Sequence, residues 1–125
     1  MEKRLYKTFD LDNGHILEIH DQSRKIGKDA WLVIMKAAIK IDIREELFES
    51  DPVSEFKLKD IIDTLGSQIV YEYKNERNFI LDHEKDKVFE TLVKTFMDNL
   101  GKYVAKKQFP GKFVLKTYKD RLKEA

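Results

Sequence analysis

Residues 30–43 read AWLVIMKAAIKIDI, and the period of that stretch decides the fold. Trp31, Val33, Met35, Ala37, Ile39, Ile41 and Ile43 recur at every second position. The alternate positions begin apolar at Leu32 and Ile34 and turn polar at Lys36, Lys40 and Asp42. Successive side chains point to opposite faces of a strand, so this pattern predicts a long central strand with one buried face.

Upstream, RLYKTFDLDNGHILEIHD (4–21) carries a hairpin signal at Asn13-Gly14. A two-residue turn would set Phe9 against Glu18 and Asp10 against Leu17. A three-residue loop, Asp12-Asn13-Gly14 with Gly14 left-handed, pairs Phe9 with Leu17, Lys7 with Ile19, Thr8 with Glu18 and Tyr6 with His20. A one-residue slip exchanges the two faces of a strand, so the register that keeps Phe9 beside Leu17 is expected. Between this hairpin and the central strand, HDQSRKIGKDAW (20–31) is expected to hold a solvated hairpin loop.

Downstream, the acidic REELFESDPV (44–53) reads as a linker punctuated by Pro52. Ser54 offers an N-cap to a short helix bearing Leu58, Ile61, Ile62 and Leu65, which Gly66 ends. SQIVYEYKNERNFIL (67–81) returns to a strand with Ile69, Tyr71 and Tyr73 on one face. Asn75-Glu76 is either a turn or a bulge before a short second segment, 78–81. Asp82 is expected to cap the longest helix, with Glu84 and Asp86 placed well against its N-terminal dipole. Val88, Phe89, Leu92, Val93, Phe96, Met97 and Leu100 form the buried stripe of that helix. Gly101 either breaks it or lets it run on through Tyr103 and Val104. Phe109-Pro110-Gly111 reads as a corner, and KFVLKTYKDRLKEA (112–125) as a final helix with Leu115, Tyr118 and Leu122 on its apolar side.

The expected order is β-β-β-α-β-α-α. It describes a single α+β domain over residues 1–125, an antiparallel sheet of four to five strands with helices packed mainly on one face. Its expected core includes Phe9, Leu17, Ile19, Trp31, Val33, Met35, Ile39, Ile61, Leu65, Tyr71, Phe89, Leu92, Phe96, Leu100 and Tyr118.

Charge is balanced overall and uneven locally. The chain holds 24 Lys and Arg against 23 Asp and Glu, so no global field draws it to nucleic acid or membrane. Residues 101–125 hold eight cations against two anions, and residues 42–63 hold eight anions against three cations. Such a dipole steers partners. There is no cysteine, which excludes disulfides, thiolate zinc sites and thiol nucleophiles. The opening MEKRLYKTFDLDNG lacks the apolar block of a secretion signal, and AWLVIM is too short to cross a bilayer. A cytoplasmic protein without a membrane partner is the expectation.

Four groups of residues bear on function. Arg24, Lys25 and Lys28, around Ser23 and Gly27, are suited to an anion, because guanidinium, ammonium, hydroxyl and backbone donors together match phosphate. The Walker and dinucleotide patterns are absent. Asp21-x-Ser23-x-x-x-Gly27 resembles the D-x-S-x-x-G signature of cyclic-dinucleotide-binding PilZ domains, but is one residue too long and lacks their paired upstream arginines. Second, Lys112, Lys116, Lys119 and Lys123 form one stripe of the final helix, with Tyr103, Phe109, Phe113 and Tyr118 interleaved. That arrangement suits a nucleic-acid backbone, although an apolar stripe docked on the sheet with solvated lysines explains it equally. Third, Glu18 and His20 share a strand face and can form an acid/base pair, or simply the wet side of a sheet. Fourth, Leu47, Phe48 and Phe56 within the acidic linker form either a docking segment or cover for a sheet edge. His15 and His20 lie five apart on one strand and so face opposite ways, and His83 sits at a helix start. No metal set, cofactor motif or nucleophile elbow is found.

Taken together, RLYKTF…NG…DQSRK…G-x-x-W-x-V, YEYKNERNFI and FPGKFVLKTY resemble a group of small uncharacterised bacterial proteins. The resemblance implies a bacterial, stand-alone domain and no particular activity. The residues themselves predict a small non-catalytic binding or adaptor domain with a protein partner. The partner would meet residues 22–28, the KNER segment (74–77) or the basic final helix. The alternatives are nucleic-acid or nucleotide binding through Arg24, Lys25, Lys28 and the lysine stripe, and an enzyme working from the polar sheet face.

Overall fold

A computed structural model describes residues 4–48 and 57–124. Five strands form one antiparallel sheet: β1 (Arg4–Asp10), β2 (Ile16–Asp21), β3 (Arg24–Gly27), β4 (Ala30–Asp42) and β5 (Gln68–Leu81). The period-two stretch is its centre. One edge of β4 takes β5 along its whole length, from Ala30 opposite Leu81 to Asp42 opposite Gln68. The other edge takes β2, with Leu17 opposite Ile39, and then β3, with Arg24 opposite Leu32. β1 pairs the free side of β2.

The helices are α1 (Leu58–Leu65), α2 (Lys85–Phe96), the single turn α3 (Lys102–Val104) and α4 (Phe109–Glu124). They pack mainly on the face that carries the odd-numbered residues of β4. Tyr73 meets Phe96 of α2, and Tyr71 meets Phe109 and Phe113 of α4. Val33, Met35, Ala37, Ile39 and Ile41 are sealed between sheet and helices, together with Leu17, Ile19, Ile61, Phe96, Val104 and Val114. Each large side chain buried this way contributes about 1.5–3 kcal/mol, which makes this layer the main source of stability. The fold is the expected α+β.

The hairpin register is the expected one near the turn. Phe9 lies opposite Leu17, Thr8 opposite Glu18 and Lys7 opposite Ile19. Gly14 has φ 86° and donates its N–H to the carbonyl of Leu11, closing the Asp12-Asn13-Gly14 loop. Tyr6 departs from expectation. A bulge between Leu5 and Lys7 sets Leu5 opposite His20, and the Tyr6 ring instead meets Phe89 at 4.9 Å.

The charged segment before β4 is not one solvated loop. The connection is only Gln22-Ser23, after which β3 returns to the same edge of β4. Asp21 accepts the N–H of Ser23, the Ser23 hydroxyl accepts the N–H of Ile34, and Gln22 donates to the Ile34 carbonyl. These bonds hold the chain against β4, so residues 24–27 continue the pairing as a fifth strand.

β5 runs straight through Asn75-Glu76, where neither a turn nor a bulge forms. The irregularity lies further on, where Trp31 faces Ile80 but Val33 faces Arg77, leaving one extra residue in β5 around Asn78-Phe79. Phe79 adopts φ 54° there and is 76% exposed. Asp82 does not cap α2. Its carboxylate accepts the Trp31 indole N–H at 2.8 Å, and a short 3-10 turn (Asp82–Glu84) leads into the helix. At Gly101 the helix continues. A π turn (Met97–Gly101) with Gly101 at φ −55° carries it into α3. Gly66 ends α1 with φ 88° and an N–H bond to Ile62, while the Ser54 cap lies outside the described residues.

Candidate functional site

α4 begins earlier than the Pro-Gly corner suggested, because Pro110 lacks an N–H and is tolerated in a first helical turn. Its buried stripe is Phe109, Pro110, Gly111, Val114 and Tyr118. Leu122 is exposed, so the apolar side is rotated from the expected Leu115–Tyr118–Leu122 line toward Val114. Residues three and four apart share a helix face. Burying Val114 and Tyr118 therefore leaves Lys112, Lys116, Lys119 and Lys123 along a solvent-facing groove of about 360 Å³ that Leu115 and Asp120 also line.

Asp120 accepts a hydrogen bond from Lys116 at 2.8 Å. That bond holds the Asp120 carboxyl below, and the Lys116 ammonium above, its ordinary range. Both are fully charged near neutrality, so the groove presents four cations against one anion. Tyr103 lies on α3, which packs against α4. This tyrosine is half exposed and touches Phe109 edge-on at 5.2 Å.

Arg24, Lys25 and Lys28 are exposed on β3 and the turn after it. They belong to a different region from the lysine groove. Arg24 stands opposite Leu32, whereas Tyr71, on which α4 rests, stands opposite Ile39. Seven residues of strand separate those positions, roughly 23 Å. The two cationic groups are therefore separate sites.

Glu18 and His20 do meet. The His20 Nε2–H donates to Glu18 Oε1 at 2.9 Å on the face without helices, and Lys36, opposite His20, pairs with Glu72. An ionised carboxylate only accepts, so this bond places the neutral-ring proton on Nε2 and makes Nδ1 the acceptor. Nδ1 is buried and unpartnered among the described residues. The basic lone pair thus points away from solvent, which suits a structural pair better than a general base.

A cleft of about 700 Å³ opens beside the hairpin, lined by His15, Glu18, Lys40, Asp42, Arg44 and Lys107 among others. Its charges largely compensate one another. Gln68 and then Arg44 hold the Asp42 carboxyl below its ordinary value by hydrogen bonding and charge. His83 is exposed, 3.7 Å from Glu84. Of the acidic-linker residues, Leu47 and Phe48 pack against the core, and Phe56 lies outside the described residues.

Among the described residues no three His, Asp or Glu side chains are grouped to share a metal ion, and no helix is long and apolar enough to cross a membrane. The chain matches no protein-family model, no curated protein and no solved structure. One feature escapes sequence reading: the Asn13 side-chain amide bonds the carbonyls of Val104 and Lys106, more than ninety positions along the chain.

Proposed function

We propose that this chain is a small cytoplasmic, non-catalytic binding domain that takes a single-stranded nucleic acid on the exposed face of α4. The single observation that carries this reading is the groove in which four lysines face one carboxylate. Lysines at this spacing track a phosphate backbone as point charges, without selecting bases. Tyr103, half exposed on α3 next to α4, supplies a face on which a base can stack. The absence of cysteine and the balanced overall charge are consistent with a cytoplasmic domain whose affinity is confined to one face.

Fluorescence anisotropy with a labelled oligouridylate across a salt series tests the reading. Four phosphate contacts predict a log–log salt slope of about −3. Reversing Lys116 and Lys119 to Glu should abolish measurable binding while leaving the circular dichroism spectrum unchanged; equal affinity in that variant rules the reading out. An acidic protein surface would use the same lysines but not the ring. Tyr103→Ala weakens only the nucleic-acid complex.

A further inference from the structure

We infer that β5 pairs antiparallel with β5 of a second copy of this chain, about a two-fold axis through Tyr73, to form a continuous sheet across a homodimer. The strand has 14 residues and pairs β4 alone among the described residues, so its outer row of N–H and C=O groups lacks a strand partner there. Free edges of this kind template further pairing unless something blunts them. The opposite edge of the sheet is blunted: β1 has seven residues, a bulge between Leu5 and Lys7, and cations at Arg4 and Lys7. From Gln68 to Arg77, β5 has an unbroken register and neither proline nor glycine. Side chains touch this run at Glu76, whose N–H donates to Asn75 Oδ1 and whose carbonyl accepts from the Arg77 guanidinium, and pairing exchanges those two bonds for main-chain ones.

Charge and the Asn78-Phe79 bulge together select a second copy and its register. A two-fold axis normal to the sheet keeps each face with itself, so it must pass through a residue and pair others symmetrically around it. Through Tyr73 it sets Glu72 opposite Lys74 twice, Val70 opposite Glu76, and Ile69 opposite Arg77. Pairing then ends just before the bulge. An axis through Glu72 or Lys74 opposes like charges at its centre, and one through Asn75 drives Tyr71 against the bulged Phe79. Opposite charges facing each other across strands stabilise, and like charges destabilise. An axis through Tyr71 opposes no like charges but pairs only 68–74, so the Tyr73 register is the longest self-complementary one. The half-buried Tyr71 and Tyr73 gain cover on the helix side, and the α4 groove takes no part in the pairing.

Sedimentation velocity from micromolar to near-millimolar protein tests this, with Lys74→Glu as the variant. In its own chain Lys74 stands opposite Lys36, so the new carboxylate gains a neighbour and the monomer is not harmed. Across the axis it meets Glu72. The wild type should dimerise, Lys74→Glu should raise the dissociation constant about tenfold or more, and Glu72→Lys/Lys74→Glu should restore pairing. Amide exchange in residues 69–77 should slow with concentration in the wild type only. A wild type monomeric throughout overturns the proposal and leaves the edge to another chain; a dimer indifferent to Lys74→Glu overturns it too, placing the contact elsewhere.

Discussion

Asn13 and Val104, ninety-one positions apart, are joined directly: the Asn13 side-chain amide donates to the Val104 carbonyl oxygen at 2.9 Å. A second bond from the same nitrogen reaches the Lys106 carbonyl at 3.0 Å, and the amide oxygen accepts the His15 N–H. One side chain thus closes the β1–β2 turn and caps the end of the α2–α3 helix, whose last carbonyls have no partners within it. Asn13→Ala should lower unfolding free energy by about 1–3 kcal/mol, as expected where acceptors lose their donor. Asn13→Asp should cost at least as much. It keeps the acceptor for His15 but brings a negative charge to the negative end of a helix dipole. Urea denaturation of both variants gives the comparison.

Gly111 sets two opposed effects against each other. Alanine is favoured over glycine inside a helix by about 1 kcal/mol. A Cβ at this position, however, would lie 2.4 Å from the backbone carbonyl oxygen of Leu47. A backbone oxygen held by the 3-10 turn Glu45–Phe48 cannot swing aside as a side chain does. Overpacking of this kind costs about 1–3 kcal/mol or more, so the steric term should win. The expected outcome is a lower melting temperature for Gly111→Ala and an unchanged one for Lys112→Ala, its exposed neighbour. A rise in melting temperature would show that the 3-10 turn and α4 separate easily.

What local pattern could show, it showed. β4 was legible because its apolar residues recur at every second position, although Ile34 and Ala38 on the opposite face are buried too, and the Phe9–Leu17 register because only one turn length keeps both on the core face. What escaped depended on partners distant in the chain. Nothing in RKIG marks a strand, since all four residues are exposed and the pairing is imposed by Ser23 and Gln22 on Ile34. Asp82 has the chemistry of a cap, yet the Trp31 indole claims its carboxylate. The lysine stripe was visible as a period, but its groove required knowing that Val114, and not Leu122, faces the core.

Trp31 and Asp82 should therefore be energetically coupled. Besides its hydrogen bond to Asp82, the Trp31 ring lies beneath the Lys85 ammonium, 4.7 Å from the ring centre. Trp31→Phe removes the donor and keeps an aromatic face for Lys85. Asp82→Ala removes the acceptor. A double-mutant cycle on unfolding free energy should give a coupling of about 1 kcal/mol, typical of one such bond. If Asp82 acted as a helix cap instead, its loss would cost the same with either residue at position 31, and the coupling would vanish.

Asp42 gives the pH dependence a definite direction. The Gln68 amide donates to one carboxylate oxygen at 2.8 Å and the Arg44 guanidinium to the other at 3.2 Å, so the group titrates below its ordinary 3.8 in the folded chain. A depressed folded value means that the contribution to stability is complete above 3.8 and is lost as pH falls through the folded value. Gln68→Ala and Arg44→Ala should each move the titration upward, since the Gln68 hydrogen bond is the largest single cause and Arg44 adds both charge and a second hydrogen bond. Added salt should raise the value more in Gln68→Ala, where the attraction of Arg44 remains beside its hydrogen bond, than in Arg44→Ala, where that attraction is gone. Carboxyl carbon shifts followed by NMR from neutral to acid pH separate the two contributions. An upward shift confined to Arg44→Ala would reverse the order and make Asp42 an ion-pair partner first and a strand-end anchor second.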